Sequence, residues 1–157
     1  MVRMAERAVS ATPDDVLVSL GLGSCIGLAL LDDRAGVAGL AHIVLPTAPT
    51  NTASNQLFKF ADTAVPALVE EVTRAGASSA RLRAVVCGGA AMFGAASNNP
   101  VMQIGARNAE STLASLANLR VAVRAQDTGG GSGRSIEVRV SSGEVFVRGV
   151  GQQARSL

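Results

Sequence analysis

The sequence has no tryptophan and no tyrosine, and aromatic residues make up only 3% of it. Stacked recognition of single-stranded nucleic acid depends on aromatic platforms, so this composition argues against it. Lys and Arg number 14 against 12 Asp and Glu, a net charge of +2, and they are scattered rather than clustered. A phosphate-tracking surface needs a basic stripe, and none is present. Cysteine is scarce: Cys25 and Cys87 are the two in the chain. Two cysteines do not make a disulfide framework. With His42 the sole histidine, and no C-x-x-C or H-E-x-x-H spacing, a zinc site would be short of ligands unless a carboxylate joined it. Lys59 is the single lysine, and no glycine loop runs into Lys-Ser or Lys-Thr, which argues against a P-loop.

Long hydrophobic runs are also missing. The opening MVRMAERAVS has no apolar stretch of the signal-peptide kind, and no later run approaches the length of a membrane-spanning helix. The expectation is a reduced, cytoplasmic, soluble protein. At 157 residues and 48% hydrophobic content, it can bury a core as one domain over residues 1–157.

The pattern along the chain predicts strands at Val16–Leu20, Ile26–Leu31, Val37–Leu45, Arg83–Cys87 and Val121–Ala125, then a hairpin joining Ile136–Val140 to Glu144–Val150. Thr47–Gln56 reads as a polar loop, and Asn98-Asn99-Pro100 as a turn. Helical spacing begins at Leu57 and runs to a terminal Gly76, but Pro66 interrupts it. A helix starting near Thr63, capped by Asp62 or Thr63, would put Pro66 in the first turn. A second helix is expected over Ala106–Ala117, and Ala90–Phe93 as one helical turn. Hairpins outnumber crossovers, so the expected fold is α+β: a layered sandwich of mixed, mainly antiparallel sheet with two main helices.

The stretch Gly21-Leu22-Gly23-Ser24-Cys25-Ile26-Gly27 sets a thiol in a glycine turn between two strands. A dinucleotide fingerprint is excluded, because the spacing is wrong and a strand follows where a helix is required. A glycine turn at a strand edge can expose a thiol and bring backbone N–H groups near a developing oxyanion. His42 is the available imidazole base. Pairing Leu31 with Val37 would set Cys25 opposite Ile43 and turn His42 to the other face. Pairing Leu31 with Gly36, with a bulge at Gly36, would set Cys25 directly opposite His42. The spacing permits a Cys25–His42 dyad without imposing it. Cys25 as a small buried hydrophobe and His42 as a hydrogen-bonded core residue remain open. Cys87 reads as structural and Ser24 as a turn former. Asp127 and Arg134 flank the glycine loop as pocket wall or as solvated surface.

Six blocks carry a resemblance. They are Leu20–Cys25, Ala41–Pro46, Lys59–Asp62, Gly88–Phe93, Ile104–Asn108, and Asp127–Gly130 with Arg134 beyond. In that order they resemble the CheD family of chemoreceptor glutamine deamidases. The resemblance implies a sandwich related to toxin-type cysteine deamidases. It also implies that Cys25 and His42 are catalytic, and that Ser19 takes the third catalytic position, where the family has threonine. Gly23, Ser24, Asp127 and Arg134 are then candidates for the oxyanion hole or for shaping the site. The implied chemistry is a thioester mechanism that needs no metal and no organic cofactor. The implied substrate is a glutamine on the cytoplasmic helices of methyl-accepting chemoreceptors, which places the protein at membrane-receptor signalling arrays. CheC phosphatase is an implied partner, with Met92-Phe93 as contact candidates. An open groove rimmed by Thr47–Gln56 and Met92–Asn99 would suit such a substrate. The rival readings are a non-enzymatic adaptor and a different cysteine acyl-transfer enzyme.

Overall fold

The computed structural model describes residues 1–91 and 103–157. Its strands are β1 (Arg7–Ser10), β2 (Val16–Leu22), β3 (Ile26–Asp32), β4 (Val37–Ile43), β5 (Arg83–Gly88), β6 (Ala122–Thr128), β7 (Arg134–Arg139), β8 (Val145–Gly149) and β9 (Arg155–Ser156). Its helices are α1 (Ala61–Arg74) and α2 (Ile104–Asn118). A five-stranded sheet has the order β1-β4-β3-β5-β6, with only β5 and β6 parallel. A second, antiparallel sheet has the order β2-β7-β8-β9.

Two apolar clusters make the molecule three layers deep. β3 and β4 are buried along their whole length, so both faces of the central sheet must be covered. On one face, Ile26, Leu28, Leu30, Ala41 and Ile43 meet Ala64, Val65, Leu68 and Val72 of α1 and Leu116 of α2. On the other, Ala29, Leu31, Ala38 and Leu40 meet Leu17, Ile136, Val138 and Val147 of the second sheet. The expected α+β sandwich is therefore the observed architecture. β1 and β9 were not anticipated; both are short, at sheet edges and poor in large apolar residues.

α1 begins at Ala61, two residues before the expected start, so Pro66 lies in the second turn rather than the first. The reason is tertiary. Leu45 bridges Phe60 in parallel, and the carbonyls of Leu45 and Pro46 accept the N–H groups of Ala61 and Asp62. No side-chain cap is required. Asp62 instead accepts from the Ala48 N–H, and the Thr63 hydroxyl donates to Leu57 O and Phe60 O. Part of the expected polar loop forms a 3-10 turn over Ser54–Lys59, ending before α1.

The β3–β4 pairing is regular, with Leu31 opposite Ala38 and Asp32 opposite Val37. Neither expected register holds. Gly36 takes a positive φ of 64° inside the turn and hosts no bulge. The Asp32 carboxylate closes this corner by accepting from Ala35 N, Ser78 N and the Arg81 guanidinium, which holds its pKa down at about 2.

Candidate active site

β2 belongs to one sheet and β3 to the other, so Gly23–Cys25 is the point where the chain crosses between layers. In the observed register His42 stands opposite Gly27, and Ile43 opposite Ile26. Cys25 immediately precedes β3 and is half-buried against the cluster between the sheets, which also holds Leu40. Side chains two apart on a strand share a face. Cys25 and His42 therefore occupy the same face, diagonally across β3 and β4 rather than directly opposite. Gly27 fills the position between them because a side chain there would collide: a Cβ would lie 2.7 Å from Leu22 Cδ1.

Ser19 reaches the site from the second sheet. It alternates with the buried Leu17 along β2, so it points into the space between the layers. Its Oγ lies 2.9 Å from His42 Nδ1 and also donates to Val2 O at 2.9 Å. Ser19 and His42 are both buried. Ser19 thus meets the imidazole from the facing sheet, not from a strand beside it. Nε2 of His42 is buried and has no hydrogen-bond partner among the described residues. The thiol therefore does not donate to it in this resting arrangement, as is common before substrate binds.

Burial lowers the His42 pKa below its ordinary value and raises that of Cys25. Both shifts act against a preformed thiolate–imidazolium pair. Cys87 lies opposite Gly27 on β5, fully buried, and its thiol is pushed up to about 12 by burial first and by Asp127 second.

The crossing turn is held from behind. Gly23 O accepts from Ala90 N at 2.8 Å and Cys25 O from Gly89 N at 2.9 Å. Ser24 O accepts from Asn108 Nδ2 at 2.8 Å. In a planar trans peptide the N–H points opposite to the carbonyl. The Ser24 and Cys25 N–H groups are thus turned away from these partners, and neither has an acceptor among the described residues. Gly88 permits this close approach: its φ is 108°, and a Cβ there would stand 2.1 Å from Cys25 O.

Asn108 ends one of the resembling blocks, but the sequence assigned it no role in the site. It is fully buried on α2, and its amide also donates to Val44 O at 2.9 Å. Two carbonyl acceptors require the NH2 end to face them. One side chain therefore ties the residue before Cys25 to Val44, just past the end of β4 and two residues beyond His42. The available signal was a polar amide on the helix face shared with Gly105, Ala109, Thr112 and Leu116.

Arg134 and Asp127 lie at the far end of the turn. Arg134 Nε pairs with Asp127 Oδ1 at 3.2 Å, and its NH2 groups donate to Gly88 O and Gly129 O. Asp127 also pairs with Arg155 at 2.7 Å. Arg134 and Gly23 share the wall of an open groove of about 620 Å³ with Arg148 and Gln152. A smaller groove of about 380 Å³ includes His42, Val2, Met4 and Leu20, and both grooves touch Gly21. Met92-Phe93, and the rim over Met92–Asn99, lie outside the described residues. Among the described residues no group of His, Cys, Asp and Glu is arranged to hold a metal ion. No helix there is long and apolar enough to cross a membrane.

Two stacked sheets, one backed by helices, with a thiol, an imidazole and a hydroxyl gathered where the chain crosses between them, define a layered α+β protein with the parts of a cysteine–histidine site. The family model for CheD, chemotactic sensory transduction, matches residues 44–149. Full-length relatives extend the likeness across the crossing turn. A protein of Desulfitobacterium hafniense is 44% identical over 147 residues, covering 94% of this chain and 91% of its own. One of Caldanaerobacter subterraneus is 41% identical and one of Lachnoclostridium phytofermentans 38%, each over 156 residues, covering 99% of this chain and 96% of the relative. All three are described as probable chemoreceptor glutamine deamidase CheD. The chain belongs to the CheD family.

Proposed function

We propose that this chain, acting as one unit over residues 1–157, hydrolyses glutamine side chains of chemotaxis receptors to glutamate. The observation that carries the mechanism is the Ser19–His42 contact on the face that Cys25 shares. Family membership supports the substrate, since the relatives are described as chemoreceptor glutamine deamidases.

Cys25 is the nucleophile. His42 Nε2 takes the thiol proton as sulfur attacks the side-chain amide carbon. The N–H groups of Ser24 and Cys25, which have no acceptor among the described residues, receive the oxygen of the tetrahedral intermediate. Protonated His42 returns the proton to the nitrogen, the C–N bond breaks and ammonia leaves a thioester. Water, deprotonated by neutral His42, attacks the thioester carbon. The C–S bond breaks, the thiol regains its proton and the product is glutamate. One water is consumed and one ammonia released. Ser19 holds the ring, while Arg134 and Asp127 shape the groove wall beside Gly23.

The same reading places the protein at receptor arrays, with CheC phosphatase as a regulatory partner to be tested by direct binding. The test of function is incubation with receptor cytoplasmic fragments, followed by ammonia assay and peptide mass mapping. Glutamine-to-glutamate conversion at defined receptor positions is the expected result. Binding without ammonia release would favour an adaptor, and amine incorporation would identify a transferase.

A further inference from the structure

The Ser19 hydroxyl has two neighbours and one proton. Val2 O, 2.9 Å away, can only accept. His42 Nδ1, also 2.9 Å away, can do either. If the serine proton pointed at Nδ1, the Val2 carbonyl would face an oxygen lone pair at hydrogen-bonding distance, within a residue that is 2% exposed. Both contacts are satisfied together in one arrangement: Ser19 donates to Val2 O, and His42 Nδ1–H donates to Ser19 Oγ. The proton of a neutral imidazole then resides on Nδ1, which leaves Nε2 as a bare lone pair. Nε2, which has no partner among the described residues, fits this assignment, because an N–H at that buried position would be a donor with no acceptor among them.

We infer that the main-chain carbonyl of Val2, acting through the Ser19 hydroxyl, fixes His42 as the Nδ1–H tautomer and thereby keeps Nε2 basic. Val2 is a positioning residue. Its importance for catalysis rests on the proposed deamidase mechanism; the tautomer itself does not.

The segment before β1 is built to hold this carbonyl in place. Val2 N donates to Val18 O at 2.7 Å, which anchors Val2 beside β2. Ala5 N donates to His42 O at 2.9 Å, and His42 N donates to Glu6 O at 3.0 Å, which anchors the same segment beside β4. Residues Val2 to Glu6 therefore staple the two sheets together at the imidazole. The serine reads the polarity of a carbonyl, much as a triad histidine reads a carboxylate. A carbonyl carries no charge, so it sets the tautomer without building a charged relay.

The test uses nitrogen-15 NMR of the full chain at a pH where the imidazole is neutral. With His42 the only histidine, its signals need no assignment by mutation. The expected spectrum shows a protonated Nδ1 and a bare Nε2; a protonated Nε2 would overturn the inference. Ser19→Ala should produce a mixture of tautomers, and a spectrum still purely Nδ1–H would overturn it. Val2→Ala keeps the carbonyl and should keep the tautomer. If Val2→Ala loses it, the side chain and not the carbonyl is responsible, and the assignment falls. A chain lacking Met1 and Val2 should lose the tautomer as Ser19→Ala does, and an unchanged spectrum would overturn the role of Val2. An intact Nδ1–H tautomer without any deamidation would sink the proposed function and leave this inference standing.

Discussion

The Ser19 hydroxyl and the His42 ring stand 2.9 Å apart across the space between the two sheets. Each is fixed by its own layer, so the contact measures how the layers are stacked. Ser19→Ala should lower kcat about 10- to 100-fold, the scale expected for a slightly misplaced catalytic group. KM should stay near its original value, because the hydroxyl lies behind the imidazole rather than in front of substrate. Ser19→Thr keeps the oxygen and restricts its rotamer, and should restore the rate. Steady-state ammonia release from receptor fragments checks all three.

The two thiols should behave oppositely. Cys25 is half-buried at the crossing turn, whereas Cys87 is sealed between the sheets with its pKa at about 12. Cys25→Ala should abolish turnover, and Cys87→Ala should keep it at a stability cost of about 1 kcal/mol, typical of a small core deletion. A limited dose of iodoacetamide should modify Cys25 alone and inactivate the protein in proportion, as read by peptide mass mapping. Inactivation that tracks Cys87 would reverse the assignment.

The pH profile follows from burial. His42 is shifted below its ordinary value, so the neutral, basic form persists to lower pH than a free histidine allows. The acid limb of kcat/KM should therefore fall below the usual histidine value of about 6.5. Cys25 is shifted upward, so no limb from the thiol should appear in the neutral range. Stability has the same sign. An unfolded chain binds the histidine proton at higher pH than the folded one, so folding stability should decline as pH falls through the histidine range and level off below the folded value. A pH–rate profile together with denaturant melts measures both.

Asn108 joins helix α2 to the turn that carries Cys25. Asn108→Ala leaves the part-buried carbonyls of Ser24 and Val44 without this donor and should cost about 2–6 kcal/mol, from roughly 1–3 per orphaned group. Asn108→Asp removes both donors and should not rescue. Because Ser24 O sets the direction of the Cys25 N–H, the variants should also lose kcat under conditions where they remain folded. Urea melts separate the stability loss from the catalytic one.

Much of the layered plan was legible locally. Alternation marked β2 and β7, a short apolar run marked β3, the turn after β7 marked β8 as its hairpin partner, and the turn residues fell between them. The start of α1 was not legible, because the carbonyls of Leu45 and Pro46 replace a side-chain cap and come from the end of another element. The β3–β4 register was not legible either. The turn chemistry of Asp33–Gly36 is compatible with several pairings, and the one adopted depends on which residues the two faces must bury. Asn108 closes one of the resembling blocks, but its role was not legible because its partners lie 84 and 64 residues away along the chain.

By itself the sequence determined the kind of chemistry available: one imidazole, a thiol in a glycine turn, and ordered blocks that resemble a family of deamidases. Those are properties of residue type and local spacing. Tertiary structure decided how they meet. Stacking the second sheet on the first puts Ser19 behind His42, the diagonal register puts Cys25 and His42 on one face with Gly27 between them, and the segment before β1 brings a carbonyl to Ser19. Each of these depends on which buried surfaces and hydrogen-bonding groups must be satisfied together, and no local pattern in the chain encodes that.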